Sequence, residues 1–223
     1  MSVLKRFLAL ICAAGLLISG CGSDKSKSEP PPPAPKQEAT QQVESPPPVP
    51  KSTVKLYGDD LAITQDQFVN AYNSALDQLA SQDGKNYNDR KITFDNPKNV
   101  EQTKKGGVNF YSGKYCSVSV HRNSPSASNI CGVSLMTMAG VKVADMLPEI
   151  TSATFAATLA PGDYSEVAAV VGNLLKVGRT NAVTVDGLII YYDSNGLMIF
   201  AEDATIDDGF GKRIVDNLKS RAR

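Results

Sequence analysis

Two cysteines, one histidine and a sparse set of carboxylates carry most of the chemistry available to the C-terminal part of this 223-residue chain. Cys116 and Cys131 are separated by fourteen residues, with the only histidine, His121, between them. Zinc sites need several closely spaced His or Cys ligands, so this pair points instead to one disulfide. Residues 115–121 and 131–135 alternate in polarity around the loop-rich stretch 122–129. That pattern predicts an antiparallel hairpin with Cys116 opposite Cys131. Val118, Val120, Val133 and Leu135 then share the buried cysteine face, while Ser117, Ser119, His121 and Ser134 face solvent. Closing a loop of about 15 residues is worth roughly 3 kcal/mol in the chain-entropy picture.

The remaining candidates for catalysis are few. From residue 54 onward the glutamates are Glu101, Glu149, Glu166 and Glu202, with acidic pairs at Glu202-Asp203 and Asp207-Asp208. A two-carboxylate glycan hydrolase stays open, because carboxylate separation decides it and cannot be read from sequence. No Gly-x-Ser-x-Gly elbow occurs. Gly209-Phe210-Gly211-Lys212-Arg213 lacks the glycine spacing and following hydroxyl of a phosphate loop and reads as a helix start. No catalytic residue, no metal ligand and no cofactor beyond a covalent lipid is assigned. Tyr111, Tyr115, Tyr191 and Tyr192 form the candidate binding surface, since tyrosines beside hairpins suit protein recognition. The basic end, with Lys212, Arg213, Lys219, Arg221 and Arg223 against Asp216, suits a helix C-terminus or an anionic docking partner.

The elements that must hold these residues read as α+β. Thr64 and Gln67 form a capping box, Ile63 can staple onto Phe68, and Phe68, Tyr72, Ala75, Leu76 and Leu79 continue one helical face. Asp163 and Glu166 form a second box ahead of Val167, Val170, Val171, Leu174 and Leu175, with Gly178 as C-cap. A third helix spans about 208–220 with Phe210, Ile214 and Leu218 on one face, and a short one falls near 141–147 before Pro148. Strands are expected at 91–94, 108–111, the cysteine hairpin, 154–159, 182–185, 188–192 and 197–201, with Asp193-Ser194-Asn195-Gly196 as a hairpin turn. The order predicts an antiparallel sheet with helices on one face and a disulfide-stapled hairpin, in two helix-plus-hairpin halves. In element order this is similar to small secreted inhibitor domains and to outer-membrane assembly lipoproteins built from such units.

The N-terminus reads as an address. Lys5 and Arg6 precede the apolar run 7–18, whose length as a helix, about 18 Å, falls short of a bilayer core of roughly 30 Å. Ile18-Ser19-Gly20-Cys21 resembles the lipobox of bacterial lipoproteins. The resemblance implies a signal peptide at 1–20 and acylation of Cys21 with palmitate-type chains. Gly22, where a retaining aspartate would stand, implies the periplasmic leaflet of the outer membrane. Residues 21–53 form a linker holding nine of the thirteen prolines, too poor in apolar side chains to pack. Residues 54–223 form one periplasmic domain with 17 basic and 19 acidic residues, which argues against nucleic acid as a partner. The expected function is non-enzymatic: a lipid-anchored protein-binding, envelope-assembly or inhibitor-type domain, partnered by the membrane and by an envelope protein or cell-wall component. The alternatives are a cell-wall or glycan hydrolase using Asp/Glu residues and a small-ligand carrier.

Overall fold

A computed structural model of the chain describes residues 55–93, 100–102, 107–159, 161, 164–206 and 209–222. The signal, Cys21 and the linker lie outside these residues, as do Phe94, Asp163, Asp207 and Asp208, and so do the side chains of Glu101, Phe210 and Lys212. All that follows concerns the unit Ser52–Arg223.

The first helix, α1 (Gln65–Asp83), begins where its capping chemistry dictates. The Gln67 amide donates to Thr64 Oγ1 at 3.3 Å, and Gln67 Oε1 accepts from the Thr64 amide at 2.8 Å. Phe68, Tyr72, Ala75 and Leu76 are buried along one face, and Leu79 packs at its edge. Four strands follow as a meander: β1 (Val100–Gln102), β2 (Gly107–Ser112), β3 (Cys116–Arg122) and β4 (Gly132–Thr137). After α2 (Leu147–Ala157) and α3 (Tyr164–Val177) comes a second meander, β5 (Asn181–Val185), β6 (Leu188–Asp193) and β7 (Gly196–Ala201), and then α4 (Gly209–Arg221). The sheet order is β1-β2-β3-β4-β7-β6-β5, antiparallel throughout. The last strands of the two meanders therefore meet at the sheet centre. The Asp193–Gly196 turn closes β6 onto β7 as its sequence predicts, with Asp193 Oδ1 accepting from the Asn195 and Gly196 amides.

Register sorts side chains onto two faces. One face carries the rows Tyr111–Val118–Leu135–Leu197–Tyr192 and Asn109–Val120–Val133–Ile199–Ile190. Helix α1 sits on this side, where Gln65 Nε2 donates to the Tyr111 hydroxyl, and α2 packs beside α1 with α3 beyond it. The other face carries Ser119–Ser134–Met198–Tyr191 and His121–Gly132–Phe200–Ile189. Helix α4 reaches that face at β5 and β6, where Arg221 Nη1 donates to the Tyr191 hydroxyl at 3.1 Å. The expectation that all helices share one face is thus corrected. An amphipathic stripe shows that a helix has a buried side, not which side of a sheet it buries.

Three further expectations change. The strand expected at 154–159 is helical. Pro148 stands in the first turn of α2, where a missing amide costs nothing. Thr154 and Thr158 each return a hydroxyl hydrogen bond to the carbonyl four residues back, at 2.8 Å. That satisfies β-branched polar side chains inside a buried helix. The strand expected at 91–94 is absent over its described part, 91–93; Asn73 instead clamps Ile92 through both its amide and its carbonyl.

The third change concerns the disulfide. Cys116 and Cys131 are buried and unbridged. Cys116 is opposite Thr137, whereas the Cys131 amide donates to the His121 carbonyl at 2.7 Å, at the far end of the hairpin. Five residues of strand, about 17 Å, separate the two positions, far beyond a disulfide's Cα span of roughly 4.4–6.8 Å. The register slips because residues 129–130 are taken by another partner. Asn129 bridges Thr64, the Ile130 amide donates to Ile63, and the Leu61 amide donates to Ile130. Alternation had placed both thiols on the correct face, with Val118, Val120, Val133 and Leu135 buried beside them. Peptide mapping of the unfolded, unreduced protein should find Cys116 and Cys131 both open to alkylation. A linked 116–131 peptide would refute this register.

Among the described residues no helix is long and apolar enough to cross a membrane.

Candidate functional site

The fold opens a cleft of about 400 Å³ between α1, the 3-10 turn Asn88–Arg90, the β2–β3 hairpin and the start of α2. Tyr72, Arg90, Tyr111, Tyr115, Cys116 and Glu149 line its interior, with Asp89, Lys91 and Lys114 also in its wall. This size lies at the lower end of pockets that hold small ligands.

Arg90 organises the cleft. Its Nη1 donates to both Glu149 oxygens at 2.8 Å and to the Asp145 carbonyl at 2.9 Å. The pair is largely dry, with side-chain exposures of 12% for Arg90 and 2% for Glu149. The guanidinium carbon lies 3.6 Å from the centroid of the Tyr115 ring and 5.3 Å from that of Tyr87. Tyr87 in turn donates its hydroxyl to Asp83 at the end of α1. A single cation therefore ties the 3-10 turn, α2 and the β2–β3 hairpin together.

Burial governs the protonation of the groups nearby. It pushes the Cys116 thiol up to about 12; the Glu149 charge adds to this and Arg90 opposes it. Burial likewise raises the Glu149 carboxyl, with Arg90 pulling in the other direction. Tyr111 is pushed up to about 12 by burial and by the Asp66 charge, and Tyr72 goes well above its ordinary value by burial. Cys116 is thus a neutral thiol at ordinary pH, a weak nucleophile. At the mouth, Lys114 Nζ lies 5.0 Å from the Tyr115 ring centroid and reaches Asp89 at 3.4 Å, while Lys91 pairs with Asp77 at 2.6 Å.

The residues singled out from sequence scatter. Tyr111 and Tyr115 both reach the cleft, but Tyr111 is buried. Tyr191 and Tyr192 are buried too and point to opposite faces, so the four tyrosines do not make one surface. His121, expected in solvent, is 3% exposed. Its Nε2 lies 3.1 Å from Ser134 Oγ and its ring 4.9 Å from that of Phe200, which covers the bare Cα of Gly132. The chain leaving β7 runs past Asn123, which accepts from the Thr205 amide, and buries Ala204 and Ile206. Of the glutamates whose side chains are described, Glu149 alone lines the cleft; Glu202 and Asp203 instead pair with Lys55 at the surface. Arg90 was missed from sequence altogether, because Asn-Asp-Arg in a polar stretch carries no periodic signal.

Among the described residues no cluster of three or more His, Cys, Asp or Glu side chains gathers as metal ligands. No family model, no curated protein and no solved structure matches the chain.

Proposed function

We propose that this is a lipid-anchored envelope lipoprotein whose domain binds a partner and does not transform it. The anchoring half of the reading rests on Ile18-Ser19-Gly20-Cys21 behind a charged and apolar leader. Two or three acyl chains on Cys21 hold a protein stably at a membrane, where one holds it only marginally. The proline-rich stretch 21–53 gives the domain reach and raises its effective concentration toward a partner.

The observation that carries the binding half is the state of the cleft. Its only glutamate is clamped by Arg90 and its thiol is neutral, so neither is poised to take a proton or attack a substrate. A glycan hydrolase would need two carboxylates flanking a bond, and the second in this lining, Asp89, is exposed at the mouth and paired with Lys114. The first form of the reading is a protein-binding, envelope-assembly or inhibitor-type domain. The second form, a small-ligand carrier, is favoured by the cleft itself, since its volume suits a small molecule.

Crosslinking in intact envelopes tests the first form, with one reproducible partner expected. Cys21→Ser should release the protein from membranes. Glycan turnover by the purified protein, abolished by one Asp or Glu substitution, would overturn the binding reading.

A further inference from the structure

We infer that the cleft recognises an oxyanion, a carboxylate or phosphate group of a small ligand, through the unused edge of Arg90. The inference rests on the ligand-carrying form of the binding reading. A guanidinium offers five N–H donors in a planar fork. In Arg90 all three protein acceptors, two from Glu149 and one from Asp145, fall on Nη1. Among the described residues Nε and Nη2 have no hydrogen-bond partner, and neither is a buried orphan. They form the side-on fork of the group, which matches two oxygens of a carboxylate or phosphate. Arg90 is one of the residues that line the cleft.

The surroundings favour an anion there. Glu149 fixes the guanidinium from one side and Tyr115 supports its plane at 3.6 Å, so little side-chain freedom is left to lose on binding. Lys114 lies against the same ring, is 64% exposed and reaches the exposed Asp89 at 3.4 Å. An oxyanion placed beside this ring is attracted by both cations. Arg90, Lys91 and Lys114 outnumber Asp89 and Glu149 in the lining.

The test is a titration of the full ¹⁵N-labelled protein in non-ionic detergent, following arginine Nε–H signals. The probes are glutarate, inorganic phosphate and neutral glutaramide at matched ionic strength. Glutarate or phosphate should shift the Arg90 signal saturably and glutaramide should not; the stronger of the two anions identifies the oxyanion. Lys114→Gln should weaken that binding about two- to fivefold. Asp89→Asn, which removes the competitor for Lys114, should tighten it. Both variants change exposed side chains and leave the Arg90–Glu149 pair in place. An Arg90 signal that moves no more with anions than with glutaramide overturns the proposal. So does a shift that Lys114→Gln and Asp89→Asn both leave unchanged. If Arg90 stays unmoved while envelope crosslinking still captures one partner, the oxyanion assignment falls and the binding reading stands. Glycan turnover would instead remove the binding reading itself.

Discussion

Arg90→Met should destabilise the protein by about 3–5 kcal/mol, the range for breaking a buried pair from one side. At this chain length that is a drop in Tm of roughly 10 °C. The cost comes mainly from what is left behind. Glu149 is 2% exposed, and without Arg90 it loses the cation paired with it. The 3-10 turn also loses its tie to the Asp145 carbonyl and its seat on Tyr115. Arg90→Met combined with Glu149→Leu should recover most of the loss, because removing both charges removes the desolvation penalty that one leaves exposed. The sign of the pH dependence follows. Without Arg90 the folded-state Glu149 carboxyl rises further above its unfolded value, so the folded state holds its proton to higher pH. The deficit of Arg90→Met is then smallest in acid and grows as pH rises through the folded-state value. Urea unfolding of the wild type, the single variant and the double variant at acid and neutral pH checks all three statements. A single variant within about 1 kcal/mol of wild type would show that the pair contributes little.

Alkali should unfold this domain steeply. Burial raises Tyr87, Tyr111 and Tyr164 from 10 to about 12, and Cys116 from 9 to about 12. The hydrogen bond to Asp83 adds to the shift of Tyr87. In each case the folded state keeps a proton that the unfolded state releases. The stabilisation is therefore complete below pH 9 and is lost as pH climbs toward 12. Each such group tilts the stability curve by about 1.4 kcal/mol per pH unit in that window, so four together act strongly. Tyr164→Phe keeps the ring, whose edge meets Phe155 at 5.6 Å, and removes the titrating hydroxyl. Its stability should fall less steeply than that of the wild type, by about 1.4 kcal/mol per pH unit. Denaturant midpoints measured from about pH 8 to about pH 11, with tyrosinate absorbance followed in parallel, decide it. Tyrosines that ionise before unfolding begins would show that these hydroxyls are less buried than the structure has them.

The sequence alone determined what depends on near neighbours. Thr64 and Gln67 cap α1 because a capping box closes over four residues. Gly178 ends α3 with φ 61°, a conformation natural to glycine, and its amide reaches Leu174. Strict alternation told which side chains share a face of β3 and β4, and the turn at Asp193–Gly196 announced β6 and β7. The resemblance of Ile18-Ser19-Gly20-Cys21 to a lipobox and the nine prolines of 21–53 are likewise features of a stretch of chain, read without a fold.

Tertiary structure decided everything that depends on distant partners. The hairpin register slipped because residues 61–64 compete for 129–130, and that competition moved two cysteines out of reach of each other. His121 became a core residue because β4 and β7 bring Ser134 and the Phe200 ring against it. Residues 154–157 became helical because a buried helix could satisfy the threonine hydroxyls internally. Arg90 and Glu149 are fifty-nine positions apart and neither lies in a motif. Their meeting creates the cleft's charge and its rigid fork. A dry ion pair forms where packing excludes water from two chains at once, and a one-dimensional pattern does not encode that condition.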